Sequence, residues 1–333
     1  MVLIRLLSLL LLLGACGTSA NQSESRFSEL QRWKEPNGKV KVLSTTAMIN
    51  DLVKQVGGPY IDALTLIRGE LDPHSYQLVK GDDEKLAYAD LLFYNGLGLE
   101  HGASLHHYLY GNPKAVSLGE KTLQAHRELI LHYNGQLDPH IWMDISLWLK
   151  TVPFIVEALS GKDPVHAAVY HDNGEKLMAE MQRVHAQTRR KMMSLPDQCR
   201  YLVTSHDAFN YFTRAYLAND DEWLNETWKK RFAAPEGLAP ESQLSAADIN
   251  FIISHLKKYE IHVLFPESNV SKDSIRKIVS AGKEKGLNVS IADVSLYADA
   301  MGGSGSDADT YLKMIVYDAN AIAQCLGSMQ VEP

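Results

Sequence analysis

The tripeptide Asp-Pro-His occurs twice in this chain, as Asp72-Pro73-His74 and as Asp138-Pro139-His140. In each copy the proline ring fixes the backbone just before the histidine. A stiffened loop of this kind lowers the cost of ordering a ligand. Asp-Pro is also common turn chemistry, so either copy alone reads as a turn with an incidental histidine. A third histidine, in Ser205-His206-Asp207, directly follows an apolar strand, at the end where open α/β sheets place their ligand sites. Asp299 stands after a strand ending near Val294 and before Gly302-Gly303-Ser304-Gly305. That glycine run lacks the Lys-Ser/Thr ending of a phosphate loop and reads as a bend.

Taken together, these are three imidazoles and one carboxylate on loops that follow strands, two in each half of the chain. Four such ligands at an interdomain cleft satisfy a tetrahedral ion. Imidazole suits zinc, iron, copper and nickel, and the carboxylate extends the range to manganese. Calcium and magnesium prefer all-oxygen shells and are disfavoured. Glu267 and Asp207 read as loop-stabilising or ligand-orienting groups, or as a general base in a catalytic alternative. His101, His106, His107, His126 and His132 sit in polar surroundings and are expected to be solvated. His166, His171 and His185 fall on a long helix and are expected to be exposed. Neither HExxH nor GxSxG occurs, so a hydrolytic reading lacks its usual parts.

The elements that must carry these residues alternate. Strand composition at Lys39 to Thr46, Tyr60 to Ile67 and Leu91 to Tyr94 is interleaved with helical patterns at Ile49 to Val56 and Lys80 to Asp90. Such alternation predicts a mostly parallel sheet covered on both faces. A further helix is expected from Ile145 to Leu159. From Asp163 to Leu195 the only internal breaker is Gly174, with Asp163-Pro164 at the start and Pro196 at the end. A helix of that length spans about 50 Å and suits a connector between two lobes. The pattern then restarts with a strand at Tyr201 to His206 and a helix to Tyr216. Asn219 to Lys230 reads as an inserted loop. Helices follow at Ala246 to Lys258, Ser271 to Lys285 and Ala308 to Leu326, with strands at His262 to Phe265 and Val289 to Val294. The expected fold class is α/β, two lobes joined by one long helix. Its divisions are a signal peptide 1–16, a flexible tether 17–38, an N-terminal lobe 39–162, the connector 163–195 and a C-terminal lobe 196–333.

A hydrophobic fraction of 45% with 22% charged residues is ordinary for a soluble globular chain. The net charge of −7 and the lack of a basic stripe argue against nucleic-acid binding. Arg5 precedes the apolar run Leu6 to Leu13, which is too short to span a bilayer and reads as a signal-peptide core. Leu13-Gly14-Ala15-Cys16 resembles a bacterial lipobox, which would make Cys16 a lipidated first residue. Cys199 and Cys325 then remain, an even pair that in an oxidising compartment is a candidate disulfide.

The chain resembles the metal-binding substrate-binding proteins of ABC importers, the TroA/PsaA/ZnuA-like group, and within it the YtgA-type members. The motifs are Leu71-Asp-Pro-His74, Asn95-Gly-Leu-Gly-Leu-Glu100, Asp138-Pro-His-Ile-Trp142, Thr204-Ser-His-Asp-Ala-Phe209, Phe265-Pro-Glu267 and Tyr297-Ala-Asp-Ala-Met301. The resemblance implies a periplasmic or extracytoplasmic, membrane-anchored lipoprotein that is monomeric and not an enzyme. It would carry one divalent transition-metal ion as cargo between its lobes and deliver it to a permease with its ATPase subunit. His74 and His140 match the ligands of the first lobe, and His206 and Asp299 those of the second. Manganese-type members usually have glutamate at the third position. Zinc-type members often carry a histidine-rich loop ahead of the second ligand, whereas 119–137 holds only His126 and His132. Zinc, iron and manganese therefore all stay open. A secreted metal-dependent hydrolase and a metal-dependent adhesin are the alternatives.

Overall fold

The computed structural model describes residues 28–133, 135–240 and 244–328. The expected signal peptide, Cys16 and the first part of the expected tether lie outside the described residues. From residue 28 onward the tether expectation fails, because 28–34 is helical. Leu30 and Trp33 explain this, since both are buried against Leu43, Leu66 and Leu86, and Trp33 Nε1 donates to the Asp62 carbonyl at 3.0 Å. Packing of two large apolar side chains outweighs the polar composition around them.

The first lobe is built on a four-stranded sheet in the order β2-β1-β3-β4, with β1 Val40–Ser44, β2 Ile61–Thr65, β3 Leu91–Tyr94 and β4 Ala115–Ser117. All three pairings are parallel, for example Leu43 with Leu64 on one side and with Leu92 on the other. Every residue of β1 is buried. Val40 and Val42 face the main core while Leu43 faces the smaller cluster with Leu30 and Trp33, the alternation expected of a strand covered on both faces. The helices Ala103–Leu109 and Leu118–Ala125 and strand β4 complete this lobe; none of these three was legible beforehand. A short antiparallel ladder, β5 His132–Tyr133 with β6 Gln136–Leu137, precedes the second Asp-Pro-His. The helix expected at Ile145 to Leu159 is divided into Ile145–Trp148, a 3-10 turn and Val152–Lys162. Pro153 lacks the N–H that a continuous helix needs there.

The connector is a 27-residue helix, Ala167–Met193, about 40 Å long. Tyr170, Gly174, Leu177, Met181, Val184, Thr188 and Met192 form its buried stripe, spaced three or four residues apart along its whole length. It packs against Ala47–Gly57 and Val152–Lys162 of the first half and against Tyr311–Ser328 of the second. Gly174 is required for that approach, since a Cβ there would sit 2.6 Å from Val156 Cγ2. Two of the histidines expected to be exposed are not. His166 stacks on Tyr60 with ring centroids 3.9 Å apart, and His185 Nδ1 lies 3.1 Å from Tyr216 Oη. His171 is exposed as expected.

The second lobe has two parallel strand pairs, β7 Leu202–Val203 with β8 Phe232–Ala233 and β9 Val263–Leu264 with β10 Ser290–Ile291. The Phe265 N–H donates to Val203 O at 2.8 Å and joins the pairs. The 219–230 segment is not a loop. It forms the helix Asp220–Leu224 and a 3-10 turn Thr227–Arg231. Arg231, 1% exposed, binds Glu222 at 2.5 Å and Asp197 at 2.7 Å and pins it to the lobe. Its acidic composition disguised a charge-paired element. A single large cluster runs through both lobes and includes Ile49, Trp148, Phe209, Tyr216 and Tyr311; Cys199 and Cys325 pack half-buried at its edge.

Candidate metal centre

The repeated Asp-Pro-His motif has one local geometry in both copies. Asp72 Oδ1 accepts the His74 backbone N–H at 2.9 Å, and Asp138 Oδ1 accepts that of His140 at 3.0 Å. Each aspartate closes a turn onto the residue after the proline, so two constraints act on one short segment. The copies then differ. Asp72 spends its other oxygen on the Ser75 hydroxyl at 2.5 Å. Asp138 Oδ1 also lies 2.8 Å from His140 Nδ1. With Nδ1–H donating to that carboxylate, His140 Nε2 carries the lone pair.

The Asn95–Glu100 motif buttresses the second loop. Glu100 accepts the N–H groups of Asn95 at 2.8 Å and Gly96 at 2.9 Å and the Thr45 hydroxyl at 2.7 Å. Asn95 Nδ2 in turn donates to the Pro139 carbonyl at 2.9 Å. Gly96 adopts φ 76°, where a Cβ would overlap the Glu120 carboxylate.

In the second lobe, Glu267 holds the third histidine. Its Oε1 accepts the N–H groups of Ser205 and His206, both at 2.8 Å, and its Oε2 lies 2.5 Å from His206 Nδ1. His206 Nε2 is thereby turned toward Asp299. Asp299 is placed by its neighbours: the Tyr297 N–H donates to buried Asp318 at 2.9 Å, and Trp142 Nε1 donates to the Ala298 carbonyl at 2.8 Å. Asn210 spans the lobes by donating to Asp138 Oδ2 at 3.0 Å and Asp207 Oδ1 at 2.8 Å.

The outcome is a compact cluster. His74, His140, His206 and Asp299 each offer one ligand atom within 4.8 Å of the others. Asp299 lies between the three rings, with Oδ2 3.2 Å from His206 Nε2 and 3.7 Å from His74 Nε2, and Oδ1 3.5 Å from His140 Nε2. Asp299 Oδ1 and His206 Nε2 are buried without a well-formed hydrogen bond among the described residues. Buried polar atoms are normally satisfied, and atoms pointing inward without one suit a cation.

The electrostatics agree. Burial holds the His74 pKa well below the usual histidine value, with Asp299 only partly opposing it. Burial also acts to lower that of His206, but the Glu267 and Asp299 carboxylates outweigh it and hold it well above the usual value. Burial would raise Asp299, yet the surrounding histidines, His206 foremost, hold it below the usual carboxylate range. The site thus contains an ionised carboxylate that draws positive charge.

The structure therefore brings together all four residues singled out as ligands. Glu267 orients His206, one of the roles expected of it. Asp207 binds Asn210. The expected solvation of the remaining histidines matches the exposure of His101, His106, His107 and His132, while His126 is half-buried. The parts played by Trp142, Asn210 and Asp318 had no signal in spacing or composition.

The family model described as zinc-uptake complex component A, periplasmic, matches residues 42–325. The chain is 37% identical to the metal-binding protein YtgA of Chlamydia pneumoniae over 96% of this chain and 93% of that protein. It is 30% identical to the manganese-binding lipoprotein MntA of Bacillus subtilis, over 88% and 92% of the two chains. The crystal structure of Fe(III)-bound YtgA from Chlamydia trachomatis superposes with a TM-score of 0.82 at 37% identity, covering 87% of this chain and 98% of that one.

Proposed function

Because this chain belongs to the zinc-uptake complex component A family, we propose that it is the substrate-binding subunit of an ABC importer for a transition-metal ion. Its cargo is one ion of zinc, iron or manganese, held by His74, His140, His206 and Asp299. The observation that carries this reading is the convergence of those four side chains, all buried, across the boundary between the lobes. Three neutral imidazoles with one carboxylate form a donor set that all three metals accept. Calorimetric titration of the metal-free protein should give one ion per chain, and His140→Ala should abolish that stoichiometric uptake. Unchanged binding by the variant would refute the site.

His74 and His140 form a half-site stiffened by two Asx turns and by Asn95. His206 and Asp299 complete it from the second lobe. The connector packs on both lobes along its length, so release at the permease proceeds by a small shift that withdraws the second pair, not by a wide hinge. In this reading the lobes are 39–162 and 196–333 around a connector at 163–195. A monomer anchored through lipidated Cys16 would present the cargo to a permease and its ATPase at the outer face of the membrane. No helix among the described residues is long and apolar enough to cross a membrane. The structure does not join Cys199 and Cys325, the candidate disulfide, to each other.

The family is one of transport substrate-binding proteins, not of enzymes. A catalytic ion also needs an open coordination position, and here the four ligands are at most 4% exposed. That burial favours capture over hydrolysis.

A further inference from the structure

The same burial raises the question of how an ion reaches the site, since none of the four side chains meets solvent appreciably. His101 is exposed, and its ring centroid lies 5.7 Å from that of His74. Two imidazoles sharing one tetrahedral ion at about 2.0–2.1 Å have centroids about 5 Å apart. Within the site the corresponding separations are 5.3 Å for His74–His140 and 5.4 Å for His140–His206. The outer pair is therefore close to a shared-ion spacing.

Its placement is also firm. Gly102 presses on the segment that follows His74, where a Cβ would sit 2.0 Å from the Tyr76 carbonyl oxygen. Ser104 ties the same two segments together by donating to Gln77 at 2.8 Å and accepting the Leu78 N–H at 2.8 Å. His101 Nδ1 lies 3.2 Å from Gly98 O. With Nδ1–H donating there, Nε2 carries the lone pair that a metal requires.

We propose that His101 is an intake ligand, a transient outer position for the transition-metal ion. The ion exchanges water for His101 at the surface, is next shared with His74, and leaves His101 as His140, His206 and Asp299 take their places. Exchange in stages avoids removing the whole hydration shell at once. This inference rests on the metal-binding reading above.

Stopped-flow mixing of the full-length protein with Zn²⁺ tests it, followed by tryptophan emission, because the Trp142 ring lies 5.3 Å from that of His140. In His101→Ala and in His101→Gln the association rate constant should fall about tenfold, with dissociation no faster than in the unmodified protein. An unchanged association rate overturns the intake role, and so does faster dissociation, which would make His101 a retaining group. Failure of the unmodified protein to take up zinc, iron or manganese would overturn the metal-binding reading itself.

Discussion

Trp142 donates its indole N–H to the carbonyl of Ala298 at 2.8 Å. The donor follows His140 by two residues and the acceptor immediately precedes Asp299, so one hydrogen bond ties the second ligand's loop to the fourth ligand's backbone across the cleft. Trp142→Phe keeps an aromatic ring but removes the bond and part of the buried indole's volume. A net loss of about 0.5–1.5 kcal/mol corresponds to metal affinity weaker by up to about tenfold. Competition titration against a chelator of known affinity reads this directly, and unaltered affinity would show that the bond does not couple the lobes.

Glu267 makes three contacts with the Ser205–His206 segment and is 1% exposed. Glu267→Gln should lower metal affinity by roughly 10–100-fold, the usual effect of losing a partner that orients a ligating histidine. Circular dichroism should show the fold retained. Wild-type affinity in this variant would mean that His206 needs no such partner.

The raised pKa of His206 makes two pH dependences. A metal ligand must be deprotonated, so below that pKa the ion displaces a proton and affinity falls by about tenfold per pH unit. Calorimetry in buffers of different ionisation enthalpy should detect the released proton. Stability of the metal-free protein runs the other way. A histidine whose folded pKa is raised contributes stability that is complete below its unfolded value, about 6.5, and is lost as pH rises through the folded value. Thermal melts of the metal-free protein should decline over that window, and His206→Gln should flatten the decline.

Arg231 is buried between Glu222 and Asp197. Arg231→Met leaves those carboxylates to Lys230 and Arg200, which already contact them at 2.7 Å and 2.6 Å. Breaking the buried part of the network should still cost about 3 kcal/mol. Chemical denaturation should show it, with metal stoichiometry at low temperature unchanged. A stability equal to wild type would show that the 219–230 segment is dispensable to the lobe.

The alternation of apolar strands and helices was legible over most of the chain because both periods are local properties, while the short elements at 103–109, 115–117 and 118–125 escaped it. The same holds for the Asp-Pro-His turns, whose aspartates act only two residues away. The connector was legible because one uninterrupted pattern with a proline at each end has few other readings. The helix at 28–34 was missed because two apolar residues in a polar stretch gain their energy from a sheet far away in sequence. The 219–230 segment was misread because charge pairing with Asp197 is not visible in composition.

What the chain determined by itself was the set of ligand types, two in each half, and the elements ending beside them. The tertiary structure alone decided that Asp299 lies between three rings, that Glu267 holds His206, and that Trp142 and Asn210 bind one lobe's loops to the other's. Those contacts join residues 61 positions apart for Glu267 and His206, 156 for Trp142 and Ala298, and more still for Asp299 and His74. No local pattern encodes them, because their geometry exists only after both lobes have packed on the same helix.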